Sequence, residues 1–187
     1  MKDKFSVRDM TFIALMAVVI AVCSWISLRI GTVPLTLQTF GVAAALCMLG
    51  GRRGTFSVII YILLGLVGVP VFANFTGGAG ALFGMTGGYI IGFLLMGAAY
   101  WLITSKFGTK AVVVAIALAV GLILCYAFGT AWFMVVYSRN KGDISLLSAL
   151  SMCVFPFIIP DAVKLTLAAV IAKKIPASVK EKAGFAS

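Results

Sequence analysis

The sequence predicts an all-α, polytopic membrane protein of six transmembrane helices, forming one membrane domain over residues 1–187. Three observations carry this expectation. The 187 residues are 63% hydrophobic and only 11% charged, and the mean hydropathy is +1.17; a soluble domain is about half apolar and a quarter charged. A soluble chain of this size leaves much of its surface wet, so this much apolar surface calls for a bilayer. Finally, long apolar runs recur six times, with basic residues in small groups between them.

The first helix is expected over about residues 10–28. Lys2, Lys4 and Arg8 precede it as they would in a signal peptide, but no A-x-A cleavage pattern follows and the run is long, so it reads as retained. The stretch Arg29 to Pro34 breaks it. The second helix is expected over about 36–49, followed by Gly50-Gly51-Arg52-Arg53-Gly54 as a tight polar turn. The third covers about 55–69 and ends at Pro70. The stretch Asn74 to Gly88 is Gly-rich and uncharged. The fourth helix covers about 89–104, before Lys106 and Lys110, and the fifth about 111–136, before Arg139, Lys141 and Asp143. The sixth spans about 146–173, broken at Pro156 and Pro160 and ending at Lys173-Lys174. No repeat and no second domain is visible.

Charge orients this arrangement. The N-terminus, the turns after helices two and four and the C-terminus carry eleven Lys and Arg, whereas the other side has only Arg29, Arg139 and Lys141. The positive-inside rule places both termini in the cytoplasm of a multi-pass protein of the cell membrane. The net charge is +10, yet the basic residues form no single patch, which argues against nucleic acid as a partner. The chain has no His, the commonest metal ligand and general base. Cys23, Cys47, Cys125 and Cys153 each lie inside an apolar run with no CxxC pair and read as small core residues. HExxH, GxSxG and Walker A motifs are absent. No enzyme, no metal site and no cofactor is expected, and energy for any pumping must come from a partner.

Three features exceed a plain bundle. Helices two and three would reach only about 22 Å at 1.5 Å per residue, against a hydrocarbon core of about 30 Å. Irregular backbone at membrane depth persists only inside protein or along a cavity. The segments from Arg29 to Thr36 and Pro70 to Gly88 are therefore expected to form the wall or lid of a pocket open to the outside. Next, Asp161 and Lys164 lie within an apolar run, where charges are costly and mark function, and their spacing puts them on one helix face. Pro160 suits a first helical turn, so the regular part of helix six is expected to begin there, with a helix N-terminus and Lys164 offering an anionic group a site. The same pair also reads as an internal salt bridge that only holds helices together. The last feature is the uncharged loop, whose Asn74-Phe75-Thr76-Gly77-Gly78 and Thr86-Gly87-Gly88-Tyr89 offer amide, hydroxyl and close backbone approach.

Several of these stretches together resemble one family. Val33-Pro34-Leu35-Thr36-Leu37-Gln38-Thr39-Phe40, Gly51-Arg52-Arg53-Gly54, Gly68-Val69-Pro70-Val71-Phe72-Ala73, Thr86-Gly87-Gly88-Tyr89 with Gly92-Phe93, and Phe155-Pro156-Phe157 leading to Pro160-Asp161-Ala162-Val163-Lys164 resemble the BioY family. These are biotin-binding S components of energy-coupling factor (ECF) transporters. The resemblance covers about Thr11 to Lys173. It implies an ECF S-component fold that captures biotin from outside and hands it across the membrane with a transmembrane coupling subunit and two cytoplasmic ATPases. It further implies a ligand site drawn from the loop before helix two, the loop between helices three and four, and the helix-six pair. The candidate ligand-binding residues are Gln38, Asn74, Phe75, Gly78, Tyr89, Asp161 and Lys164. Asn74-Phe75-Thr76 departs from the family in being bulkier than the Gly and Ser expected there. The resemblance also implies docking of the coupling subunit on small residues of helix one, here Ala17 and Ala21 with Ala14 beside them; such spacing lets helices approach closely in lipid. Rival readings are an S component for another vitamin, a structural membrane subunit, and a small membrane-embedded enzyme, the last opposed by the missing catalytic residues.

Overall fold

The computed structural model describes residues 6–30 and 33–175. Lys2, Lys4, Lys180 and Lys182 of the expected basic ends, and Gly31-Thr32 of the first break, lie outside the described residues. Helix α1, Val7–Trp25, begins three residues earlier than its apolar run because a capping box starts it. Ser6 Oγ accepts from Asp9 N at 3.2 Å, and Asp9 Oδ2 accepts from Ser6 N at 3.0 Å. Asp9 also pairs with Arg53 at 3.1 Å.

The chain then departs from the all-α expectation. Strands β1, Ser27–Ile30, and β2, Val33–Thr36, pair antiparallel with Ser27 opposite Thr36. Together they form a two-stranded sheet. Pro34 is tolerated because an edge strand need not donate from every residue.

Helix α2, Gln38–Leu66, is helical throughout except at Gly50, where φ is 80° and ψ 167°. There the chain doubles back. Gln38 Nε2 donates to the Tyr61 hydroxyl at 2.8 Å; in one straight helix these residues would stand about 34 Å apart. A Cβ on Gly54 would lie 2.7 Å from Leu46 Cα, so glycine there lets the second arm approach the first. The two arms are 38–49 and 51–66, and Gly51 to Gly54, expected as a turn, already belong to the second arm.

Irregular backbone follows, with a 3-10 turn Ala73–Phe75 and a short helix α3, Ala79–Leu82. The end of α1 and the start of β1 hold it: Ser24 donates to Val71 O, Trp25 Nε1 to Pro70 O at 2.9 Å, and Ser27 to Asn74 Oδ1 at 3.2 Å. Helices α4, Gly87–Phe107, and α5, Ala111–Lys141, pack along glycines. A Cβ at Gly88 would run into Trp132, and one at Gly129 into the Tyr89 ring.

Helix α6, Leu146–Cys153, is separated from α7, Phe155–Lys174, by Val154 at φ −124° and ψ −56°. The break therefore falls before Pro156, not at Pro156 and Pro160. Pro156 occupies the first turn of α7, where its missing N–H costs nothing, and Pro160 lies inside the helix, as membrane helices tolerate. Asp161 accordingly stands in the second turn of α7, not at a helix N-terminus. Five helices, α1, α2, α4, α5 and α7, are long and apolar enough to cross a membrane, with the bent α2 counted once. The chain is a mainly helical, multi-pass membrane protein.

Candidate functional site

A cavity of about 390 Å³ opens where the first arm of α2 starts and its second arm ends. That size falls within the range of small-ligand sites, about 300–1,000 Å³. One side is built from the irregular segments: Val33, Pro34 and Thr36 of β2, and Phe72, Asn74 and Thr76 of the segment after α2. Opposite, Ile90 and Phe93 of α4 with Leu122 and Cys125 of α5 form an apolar wall. Gln38, Tyr89, Tyr126, Asp161 and Lys164 supply the polar groups.

The polar groups form a connected set. Lys164 Nζ donates to Asp161 Oδ1 at 2.8 Å and to the Thr36 carbonyl at 2.6 Å. Asp161 Oδ2 accepts from the Tyr126 hydroxyl at 2.6 Å. The Lys164 and Asp161 side chains are only 8% and 5% exposed. A charge in such surroundings persists only when paired and hydrogen-bonded, and this pair spans three elements, α5, α7 and β2. An ammonium has three donors, so Lys164 retains one proton beyond these two bonds. Each Asp161 oxygen keeps a lone pair as well. The Tyr89 and Thr130 hydroxyls meet at 2.9 Å on the α4–α5 side. Among the described residues, no buried side-chain nitrogen or oxygen lacks a partner. A ligand entering this cavity must therefore replace internal bonds or use the capacity they leave.

Of the residues expected in the site, Gln38, Asn74, Tyr89, Asp161 and Lys164 meet at this cavity. Phe75 and Gly78 do not line it. Phe75 is 63% exposed and stacks on Trp25 with ring centroids 5.0 Å apart. Gly78, at φ 84°, caps α3 and donates its N–H to Gly65 O at 2.7 Å. Asn74 and Phe75 both have positive φ, 56° and 57°, a conformation uncommon outside glycine, and their turn sets Asn74 against the cavity. The small residues of α1 divide. Ala14 is exposed, whereas Ala17 and Ala21 are 1% and 4% exposed and lie in the core. The Ala17–Ala21 face thus points inward, because packing in the interior uses the close approach that small residues permit.

Sequence reading does not reach Tyr126, Tyr61, Thr130 or the Thr36 carbonyl. An aromatic hydroxyl inside an apolar run looks like core filling. The available signal was that a buried Tyr hydroxyl needs a partner, and Asp161 was the one carboxylate in an apolar run.

A family model described as the BioY family matches residues 1–181. The biotin transporter BioY of Thermotoga maritima is 39% identical over 168 residues, covering 90% of this chain and 95% of that protein. The probable biotin transporter BioY of Pyrococcus horikoshii is 37% identical, covering 90% of this chain and 96% of its own length. A crystal structure at 2.1 Å of the S-component for biotin from an ECF-type ABC transporter superposes with a TM-score of 0.80 at 29% identity, covering 90% of each chain. The named relatives are transporters, not enzymes. With the family model spanning nearly the whole sequence and relatives well above 30% identity matched over most of their length, the chain belongs to the BioY family.

Proposed function

We propose that this protein is the high-affinity biotin-binding, substrate-capture subunit of an ECF-type vitamin importer. The observation that carries this reading is the buried Asp161–Lys164 pair facing a chamber that is otherwise mostly apolar. Biotin combines an apolar ring and tail with a ureido group and a carboxylate. Ile90, Phe93 and Leu122 offer the apolar contact, and Gln38, Asn74, Tyr89, Asp161 and Lys164 the polar contacts that fix orientation. Phe75 and Gly78 contribute by shaping the loop that carries Asn74. The ligand needs no cofactor.

The bend at Gly50 gives α2 two arms, which makes six crossings of a single membrane domain, with both termini in the cytoplasm of the cell membrane. Arg52 and Arg53 at the bend, and Lys106 at the end of α4, support that orientation. A transmembrane coupling subunit and two cytoplasmic ATPases supply the energy. The exposed Ala14 side of α1 is the part of the small-residue face available to the coupling subunit. An Ala14→Leu change is expected to impair assembly while biotin binding by the isolated chain survives; normal assembly would remove α1 as the dock.

Mass spectrometry of the purified protein, followed by calorimetric titration of the stripped protein, tests the function. Co-purified biotin and saturable biotin binding are expected. A different vitamin in the pocket, or none with no biotin binding on titration, would overturn the assignment.

A further inference from the structure

We infer that Tyr126 is a positioning residue for the ligand site: its hydroxyl fixes the Asp161 carboxylate so that Lys164 presents its remaining proton to the cavity. This rests on the biotin reading above. Tyr126 comes from α5 and lines the cavity, and its hydroxyl lies 2.6 Å from Asp161 Oδ2. Lys164 occupies the other oxygen, Oδ1, at 2.8 Å. The carboxylate thus has one donor on each oxygen, from two different helices.

A tyrosine hydroxyl has a single proton to donate. With that proton committed to Asp161, Tyr126 acts through the carboxylate and not as a donor to the ligand. Its bond is charge-assisted, about twice as strong as a neutral one. The terminal torsion of an aspartate is broad, and Lys164 sits on the same helix only three residues away. Without Tyr126, no other group among the described residues holds the second oxygen. The carboxylate is then free to turn both oxygens toward the ammonium and draw it off the Thr36 carbonyl.

The platform behind Tyr126 is fixed. A Cβ on Gly92 would lie 2.8 Å from the sulfur of Cys125, the residue next to Tyr126. One turn onward, Gly129 leaves no room between α5 and the Tyr89 ring. The close α4–α5 packing therefore sets the hydroxyl position, and the hydroxyl in turn sets the carboxylate.

The test is a double-mutant cycle of Tyr126→Phe with Asp161→Asn, titrated with biotin up to millimolar concentration, with melting temperature as folding control. Biotin binding by the parent checks the underlying reading; if the parent does not bind, that reading fails and not this inference. Tyr126→Phe is expected to weaken binding roughly ten- to hundredfold in the Asp161 background, and less than about twofold in the Asp161→Asn background, because contacting groups couple. Parent-like binding by Tyr126→Phe, or an equal loss in both backgrounds, would overturn the inference. If Asp161→Asn leaves no measurable binding, infrared spectroscopy decides. The carboxylate band that vanishes in Asp161→Asn is expected at a different frequency in Tyr126→Phe, and an unmoved band overturns the inference. Should Tyr126→Phe fail to fold, 3-fluorotyrosine placed at position 126 keeps the ring and the donor but makes the hydroxyl more acidic. The Asp161 band must then shift, and an unmoved band has the same consequence.

Discussion

The α4–α5 pair and the irregular segments around the cavity are built on opposite principles. Along α4 and α5 the contacts are backbone against side chain, made possible by glycine: Gly88 on Trp132, Gly92 on Cys125, Gly121 on Met96. In β1–β2 and residues 67–86 many of the contacts are hydrogen bonds, several of them from side chains to backbone, such as Trp25 to Pro70 O and Lys164 to Thr36 O. Close packing with few polar partners, the Tyr89–Thr130 hydroxyl pair apart, suits the part surrounded by lipid, where association relies on van der Waals fit. Directed polar bonds suit the part that must exchange partners with a ligand. The difference teaches that changes of similar size should have unlike consequences in the two regions.

The largest effect is expected at the polar pair. Asp161→Asn or Lys164→Met alone leaves a buried charge unpaired, which costs about 3–5 kcal/mol. Titration should show biotin affinity lost by about a hundredfold or more, with melting temperature also lowered. Retained affinity in either single variant would detach the pair from the site.

Next is the glycine packing. A Cβ at Gly88 has no room beside Trp132, so Gly88→Ala is expected to destabilise the protein by about 1–3 kcal/mol, as overpacking does. Gly80, in α3, has nothing within 4 Å of its would-be Cβ, and Gly80→Ala is expected within about 0.5 kcal/mol of the parent. Thermal unfolding in detergent checks both. Equal melting temperatures for the two variants would erase the contrast between the regions.

A similar or smaller loss is expected at the bridge between the arms of α2. Gln38→Leu leaves the Tyr61 hydroxyl, held in a residue with 0% exposure, without its amide donor, for about 1–3 kcal/mol. Tyr61→Phe in the same protein should recover part of that loss, read again by thermal unfolding. The smallest effect is expected at the stacked pair outside the cavity. Phe75→Ala removes an exposed aromatic contact with Trp25 worth about 0.5–1.5 kcal/mol, and biotin affinity should change only a few-fold. A hundredfold loss there would bring Phe75 into the site.

The two regions also differ in how far the sequence discloses them. Apolar runs and the Gly50-Gly51 pair reveal the helices and the bend of α2, because hydropathy and a positive φ are local properties. The charge pair is legible for the same reason, since Asp161 and Lys164 stand out in an apolar run. The β1–β2 hairpin is not legible, because its four-residue strands are stabilised by each other and Pro34 reads as a simple breaker. The helical role of Pro160 is hidden because a proline suits a helix start and a membrane helix interior alike. Ala17 and Ala21 show that small residues favour close approach without showing to which neighbour. Tyr126 is invisible because its partner lies 35 residues away on another helix, which only the fold discloses.

Removing both charges at once tests the central claim most directly. The double change Asp161→Asn with Lys164→Met leaves neither residue as an unpaired buried charge, so the fold penalty of the single changes should largely disappear. Biotin retention is measured beside thermal unfolding in detergent. The expected result is a protein that melts near the parent temperature and does not retain biotin. A double variant that folds and binds biotin like the parent would contradict the claim, because the pair would then be a bridge between helices and not the ligand site.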